Sequence, residues 1–106
     1  MRVVRLRPEA RRDLLEISEY LLIESGSEAV SARFLAAVES TLSLLAEHPL
    51  IGTRYVAVPV DLAGLRAFVV SAFPHYMVFY LPVDKAVDVI RVLHGARDLA
   101  RLLEEG

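Results

Sequence analysis

The sequence predicts an α+β domain in which a two-helix hairpin packs against an antiparallel sheet. Two stretches with helical spacing of apolar residues follow each other with only Ser25 to Ser27 between them. Three later stretches rich in valine, isoleucine and aromatic residues are joined by short segments, which require antiparallel neighbours. A short arginine and valine stretch precedes them all and predicts a first strand that joins the same sheet.

The first strand and the first helix meet at a proline. Residues Arg2 to Arg7 mix β-branched residues with arginines and predict the strand. Pro8 suits the first turn of a helix, because the backbone N–H that it lacks would be unpaired there. From Glu9 to about Glu24, apolar residues recur at helical spacing with charged residues mostly on the other side. This segment therefore predicts an amphipathic helix.

A second helix is predicted directly after the first. Gly26 provides a stop and Ser27 an N-cap, and the helical pattern then continues to about His48 and Pro49. So short a connection requires antiparallel packing of the two helices. Their apolar stripes then form one broad hydrophobic side.

The second half of the chain predicts a connection, three strands and a short helix. Residues Pro49 to Gly64 have no sustained period and predict a long connection with a short extended piece at Tyr55 to Val60. The predicted strands are Leu65 to Val70, His75 to Leu81 and Ala86 to Leu93. They are joined by Ser71 to Pro74 and by Pro82 to Lys85. A short C-terminal helix is predicted at Leu99 to Glu105.

The third predicted strand, which contains Tyr76 and Tyr80, is apolar on both faces. Tyr76, Val78 and Tyr80 face one way, and Met77, Phe79 and Leu81 face the other. One face can pack on the helical hairpin. We expect the C-terminal helix or another protein to cover the other face.

Composition indicates one small domain, residues 1–106, with a protein partner. The chain is 55% hydrophobic, and its mean hydropathy of +0.43 leaves apolar surface for a second chain to cover. It has no cysteine, and its three histidines are scattered, so we expect no cofactor and no metal site.

The net charge of −2 argues against binding to the phosphate backbone of a nucleic acid. The N-terminus lacks a signal peptide pattern, no membrane span is expected, and the cytoplasm is the predicted location.

A series of short motifs resembles the ParE-like branch of the RelE/ParE toxins across essentially the whole chain. The motifs are Leu6-x-Pro8-x-Ala10-x-x-Asp13-Leu14-x-x-Ile17-x-x-Tyr20, Phe34, Pro49-x-x-Gly52, Gly64-Leu65-Arg66, Tyr76-x-Val78-x-Tyr80 and Val92 to Asp98. The resemblance implies the toxin of a type II toxin–antitoxin module, neutralised by a cognate antitoxin. It further implies inhibition of DNA gyrase by protein binding, whereas RelE-like toxins cut mRNA in the ribosomal A site.

The ribonuclease alternative needs groups that the chain largely lacks. Cleavage by a 2′-hydroxyl requires a base, cations for the phosphate and an acid. RelE-like toxins supply lysines in the central loop, arginines in the sheet and a C-terminal tyrosine. The segment from Pro49 to Gly64 has no lysine, and alignment places Gly95 at a catalytic arginine and Arg101 at the tyrosine. His94 can serve as acid or base, but it lacks the supporting lysines. We therefore expect that the protein is not an enzyme. A non-toxic antitoxin-binding module is a third alternative.

We predict that five residues contact the target or the antitoxin, and none is assigned a catalytic or metal-binding role. They are Arg66, His94, Arg97, Arg5 and Arg11. Arg66 lies among apolar residues, and the alternative is an ion pair that supports the fold, with a partner such as Asp98. His94, Arg97 and Asp98 lie where the last strand ends, and Asp98 can instead charge the start of a helix.

The N-terminal arginines form the densest basic cluster in the chain. They are Arg2, Arg5, Arg7, Arg11 and Arg12. The cluster can receive an acidic antitoxin or gyrase surface, or it can be an ordinary solvated edge that resists aggregation. Tyr76 and Tyr80 can stack bases, but packing against the helices is the favoured prediction.

Overall fold

The computed structural model describes residues 2–95, 97 and 98. Along the chain lie β1 (Val3–Leu6), α1 (Pro8–Ser25), α2 (Glu28–Glu47), β2 (Thr53–Arg54), a single 3-10 turn (Val60–Leu62), β3 (Arg66–Val70), β4 (Phe73–Val83) and β5 (Ala86–His94). The predicted C-terminal helix, Leu99 to Glu105, and Arg101 lie outside the described residues. The predicted order of strand, two helices and three strands is confirmed.

All strands belong to one mixed sheet in the order β1-β5-β4-β3-β2. The three long strands form the predicted antiparallel meander, and β1 joins it as an edge strand parallel to β5. The extended piece predicted at Tyr55 to Val60 is wrong in position, because the central segment pairs with β3 through Thr53 and Arg54 instead. The sheet therefore has five strands.

The two helices begin and end at the predicted signals. Pro8 occupies the first turn of α1, and Gly26 ends that helix in a left-handed conformation with φ 65°. Ser27 occupies the N-cap position of α2, although its hydroxyl makes no capping hydrogen bond. The hydroxyls of Ser18 and Ser31 lie 2.9 Å apart where the helices pack against each other.

The sheet has an apolar core on each face, as the two-sided pattern of β4 predicts. On the helix side, Phe34, Val38 and Leu45 of α2 pack against Tyr76, Val78 and Tyr80 together with residues of β3 and β5. On the opposite side, Phe79 and Leu81 pack with Ile90 and Leu93. Tyr55, Val58, Leu62 and Leu65 pack on this second face. The C-terminal helix or another protein was predicted to cover this second face. The segment between α2 and β3 folds back and covers part of it instead.

The turns of the meander are tighter than predicted. Val70 pairs with Phe73 and Val83 pairs with Ala86, so each loop has two residues in place of the four predicted. Ala72 and Lys85 close these loops with φ of 64° and 58°, a region that non-glycine residues rarely adopt. Neither position carries the glycine or asparagine that signals such a turn.

Helix α2 is long and apolar enough to cross a membrane by length and composition. Its Phe34 and Leu45 side chains are fully buried against the sheet. Only 28% of its apolar window is buried, so part of the apolar surface of α2 is exposed.

Candidate functional site

A cleft opens on the helix side of the sheet, where β5 ends beside the C-terminal half of α1. It consists of two neighbouring cavities of about 260 and 450 Å³. Both are lined by Tyr20, Tyr76, His94 and Arg97. The smaller cavity also borders Asp13 and charged residues, whereas the larger one borders apolar and aromatic residues. We call the two cavities together the His94 cleft.

The floor of the His94 cleft is fixed by an ion pair between α1 and β5. Asp13 is only 5% exposed, and its carboxylate accepts hydrogen bonds from Nε and Nη2 of Arg91 at 2.7 and 2.8 Å. The same carboxylate accepts the backbone N–H of Val92 at 3.0 Å. A buried carboxylate with three donors is satisfied, so the pair holds the helix against the sheet. Sequence reasoning did not find this pair, although Asp13 stands on the apolar side of the helical pattern.

His94 forms one wall of the cleft and is held by three contacts. Its ring stacks parallel to that of His75 with centroids 5.5 Å apart, and it meets the ring of Tyr76 edge-on at 5.7 Å. Its Nδ1 accepts the backbone N–H of Arg97 at 3.3 Å. In the neutral ring an accepting Nδ1 leaves the proton on Nε2, so Nε2 is a donor.

Tyr76 forms the other wall, and its ring is buried. The ring packs against Phe34 with centroids 5.4 Å apart. Burial raises the pKa of Tyr76, while the charge of Arg97 opposes the rise. The phenol therefore stays protonated at neutral pH and can donate a hydrogen bond.

Arg66 lies at the opposite end of β4, where it holds a turn. Its guanidinium donates to the carbonyls of Leu50 and Gly52 at 3.1 and 2.9 Å. The alternative of an ion pair with Asp98 does not hold, because Arg66 is opposite Tyr80 in the sheet whereas His94, four residues before Asp98, is opposite Tyr76. Asp98 contacts Arg97 instead, at 3.4 Å.

The turn held by Arg66 is also fixed by Tyr80. The Tyr80 hydroxyl donates to the carbonyl of Pro49 at 2.8 Å and accepts the N–H of Gly52 at 3.0 Å. Burial raises the pKa of Tyr80. A Cβ on Gly52 would lie 2.5 Å from that hydroxyl and 2.9 Å from the carbonyl of Ala67, so only glycine fits. The predicted core role of Tyr80 is confirmed.

The remaining predicted residues, Arg5 and Arg11, are exposed on β1 and α1 and do not line the His94 cleft. Their neighbour Arg7 pairs with Asp88 of β5 at 3.0 Å, so this member of the basic cluster supports the sheet. The structure therefore brings together His94 and Arg97, but it places Arg66 and the N-terminal arginines elsewhere.

An apolar groove of about 360 Å³ runs between β1 and the two helices. Most of its lining is aliphatic: Val4, Leu6, Leu14, Leu35, Val38 and Leu42. The N–H groups of Val3 and Arg7 donate to β5, so alternation directs the backbone groups of Val4 and Leu6 to the open edge. We call this region the β1 groove.

The described part of the chain offers little for metal chemistry. Within residues 2–95, 97 and 98, no three histidine, aspartate or glutamate side chains cluster in a way that could hold a metal ion. The charged groups of the His94 cleft can bind and orient a partner.

One comparison with known proteins identifies a family. The model of the ParE toxins of type II toxin–antitoxin systems (parDE) matches residues 4–99. A solved structure described as a chromosomal ParDE TA system from P. aeruginosa has a TM-score of 0.70 and 14% identity, covering 89% of this chain and 96% of that chain. That likeness supports the fold alone. A search of curated proteins found no match. Because the family model spans nearly the whole sequence, the chain belongs to the ParE toxins of type II toxin–antitoxin systems.

Proposed function

We propose that this ParE toxin arrests growth by binding DNA gyrase and performs no catalysis of its own. The single observation that carries the proposal is the hydrogen bonding of the Arg66 guanidinium within the chain. Its Nη1 already donates to two backbone carbonyls of the chain, which holds the guanidinium against a turn. The sheet arginine that the resemblance shares with RelE-like ribonucleases thus has a structural task here.

The position of Gly95 supports the same proposal. RelE-like toxins carry a catalytic arginine at the corresponding place. A Cβ on Gly95 would lie 2.7 Å from the sulfur of Met77 and 3.1 Å from its Cγ. The Met77 side chain therefore fills the space that a larger residue at this position would need.

The target is tested by expressing the toxin without its antitoxin and following DNA and protein synthesis in the arrested cells. We expect DNA synthesis to fall first and purified toxin to block supercoiling by gyrase. Early loss of translation with normal supercoiling would contradict the proposal. Undisturbed growth would instead indicate a non-toxic module that retains only antitoxin binding.

A ribonuclease remains the second candidate because His94, Arg97 and two tyrosines line one open cleft. Its test is the sequencing of mRNA ends during arrest, with His94→Ala as the diagnostic variant. Cuts with codon spacing that disappear in His94→Ala would establish cleavage. Arg66→Ala is a poorer diagnostic, because the change also releases the turn at Leu50 and Gly52.

A ParE toxin has a cognate ParD antitoxin as its partner. We propose that the antitoxin docks an amphipathic helix or an added strand in the β1 groove. The aliphatic lining offers apolar area, and the open edge of β1 offers backbone groups for pairing. Arg5 and Arg11 are exposed on the elements that border the groove, where they can attract acidic antitoxin residues.

Two leucines of α2 provide a matched test of antitoxin docking. Leu35 is 42% exposed and lines the β1 groove, whereas Leu44 is 41% exposed and does not line it. We expect Leu35→Glu to weaken antitoxin binding at least about 10-fold, because a charge would be buried in the interface. Leu44→Glu should bind as the unmodified protein does. Equal binding by both variants in a calorimetric titration would exclude the groove.

We further propose that residues 1–106 form one toxin domain that acts in the cytoplasm. Gyrase and the antitoxin would both be encountered there, and the absence of cysteine fits a reducing compartment. Fractionation of cells that express the tagged toxin with its antitoxin tests the location, and recovery in the membrane fraction would contradict it.

A further inference from the structure

The hydroxyl of Tyr76 makes no hydrogen bond to any residue that the structure describes. Although the residue is only 8% exposed, no buried side-chain oxygen or nitrogen lacks a partner in the described part of the chain, so this hydroxyl is open to the cleft. The side chain lines both cavities, and Tyr20, Arg97 and Asp98 are close enough to influence its pKa. A phenol that is open to a cleft and unpaired within the described residues can exchange its bound water for a ligand atom.

Every group around that hydroxyl on the shared wall can donate a hydrogen bond. His94 donates through Nε2, since its Nδ1 accepts from Arg97. Tyr20 is half-exposed and brings a second phenol, and the Arg97 guanidinium side chain is 64% exposed. Donors that converge in this way are complementary to an oxyanion.

The larger cavity next to these donors suits an apolar group. Its lining includes Leu21, Phe73, Pro74 and the ring of His75, which is stacked on His94. The two cavities together fall in the size range of small-ligand sites, roughly 300 to 1,000 Å³. An occupant with an anionic end and an adjacent apolar end would fill both.

We propose that the His94 cleft binds a peptide segment of a partner protein in which an aspartate or glutamate follows a large apolar residue. The carboxylate accepts hydrogen bonds from Tyr76, Tyr20, His94 and Arg97, and the apolar side chain enters the cavity beside Phe73. The inference deepens the target contact proposed for His94 and Arg97. It names the chemistry of the partner at that site and does not depend on that partner being gyrase.

A peptide fits the electrostatics of the cleft better than a nucleic acid does. The smaller cavity also borders Glu16 and Asp98, which would repel a chain of phosphates. The net charge of −2 adds no long-range attraction for a polyanion. Asp98 contacts only Nε of Arg97, and the Arg97 side chain is 64% exposed, so its other guanidinium nitrogens can still donate to a single carboxylate.

The test measures binding of a fluorescein-labelled peptide, Leu-Phe-Asp with a blocked C-terminus, to the purified full-length toxin by fluorescence anisotropy. The Leu-Phe-Asn peptide serves as its uncharged match. We expect millimolar or tighter binding of the aspartate peptide and at least about 10-fold weaker binding of the asparagine peptide. Gyrase and antitoxin are absent from the assay, so its result is independent of the gyrase proposal.

Three variants locate the binding. Tyr76→Phe keeps the ring and removes only the unpaired hydroxyl, and it should weaken aspartate-peptide binding about 5- to 10-fold. Arg97→Ala should weaken it by at least about 10-fold, because a charged partner is lost. Arg54→Ala removes an exposed arginine that does not line the cleft and should leave binding unchanged.

Several outcomes would overturn the inference. Equal binding of the two peptides would show that the carboxylate is not recognised. Unchanged binding by Tyr76→Phe would show that the peptide does not bind in the His94 cleft. Failure of either peptide to bind at millimolar concentration would do the same. Binding of adenosine monophosphate, with no binding of the aspartate peptide and with the same loss in Arg97→Ala, would assign the cleft to a nucleotide instead.

Discussion

The two ends of β4 carry the same residue type in opposite states. Tyr80 is fully buried, and its hydroxyl is paired with Pro49 and Gly52. Tyr76, on the same face of the strand, is nearly as buried, but its hydroxyl faces the His94 cleft without a partner among the described residues. The hydroxyl at the paired end stabilises a turn, whereas the hydroxyl at the open end is available to a ligand.

The largest effect is expected at the ion pair beneath the open end. Asp13→Ala removes an acceptor of three hydrogen bonds, including that of the buried Val92 N–H. Breaking a buried pair costs about 3 to 5 kcal/mol, and we expect about 3 kcal/mol because the Arg91 side chain is 23% exposed. Urea unfolding measures the loss. A loss of less than about 1 kcal/mol would show that the pair does not hold α1 to the sheet.

The sharpest comparison is between two matched variants. Tyr80→Phe leaves the N–H of Gly52 and the carbonyl of Pro49 without their partner, and should lower the free energy of unfolding by about 2 kcal/mol. Tyr76→Phe removes a hydroxyl with no partner in the described structure and should change it by less than about 0.5 kcal/mol. If thermal or urea unfolding showed the same loss of unfolding free energy for both variants, the two hydroxyls would contribute equally to stability.

A smaller effect is expected for Arg66. Arg66→Ala removes two hydrogen bonds to carbonyls near the surface, which water can partly replace, so the loss should be about 1 kcal/mol. Peptide binding in the His94 cleft should be unaffected. Loss of toxicity in this variant, with stability and antitoxin binding unchanged, would mean that Arg66 contacts the target directly.

The smallest effect is a dependence of stability on alkaline pH. Burial raises the pKa of both Tyr76 and Tyr80 above 10.0 in the folded protein. The folded state therefore holds these protons more tightly, and this stability is complete below pH 10.0 and is lost as the pH rises through the folded pKa values. Tyr80→Phe should make unfolding above pH 10.0 less steep than in the unmodified protein. An unchanged slope would mean that Tyr80 does not contribute.

The elements were predictable from the sequence because their signals are local. Pro8, Gly26 and the helical spacing between them depend on residues a few positions apart, and the structure has those bounds within about two residues. The antiparallel meander followed from the short joins. Even the two-sided burial of β4 followed from its lack of alternation.

The partners of charged residues were not predictable in the same way. Asp13 and Arg91 are separated by 78 residues and meet only because β5 lies beneath α1. The carbonyl partners of Arg66 could not be foreseen, because the sequence does not reveal which end of the meander the residue occupies. His94 and Arg97 were placed together correctly because they are neighbours in the chain. The unpaired hydroxyl of Tyr76 could not be foreseen, since pairing is a property of the packed structure.

The position of β1 in the sheet sets the order in which the toxin can be completed during synthesis. Val3 to Leu6 pair with Ala86 to Val89, so the first strand made by the ribosome must wait for the last strand. Asp13 waits equally for Arg91. Contacts so distant in sequence are slow to close, and the His94 cleft lacks a wall until β5 is in place. The complete sheet and the His94 cleft therefore form only after β5 has been translated.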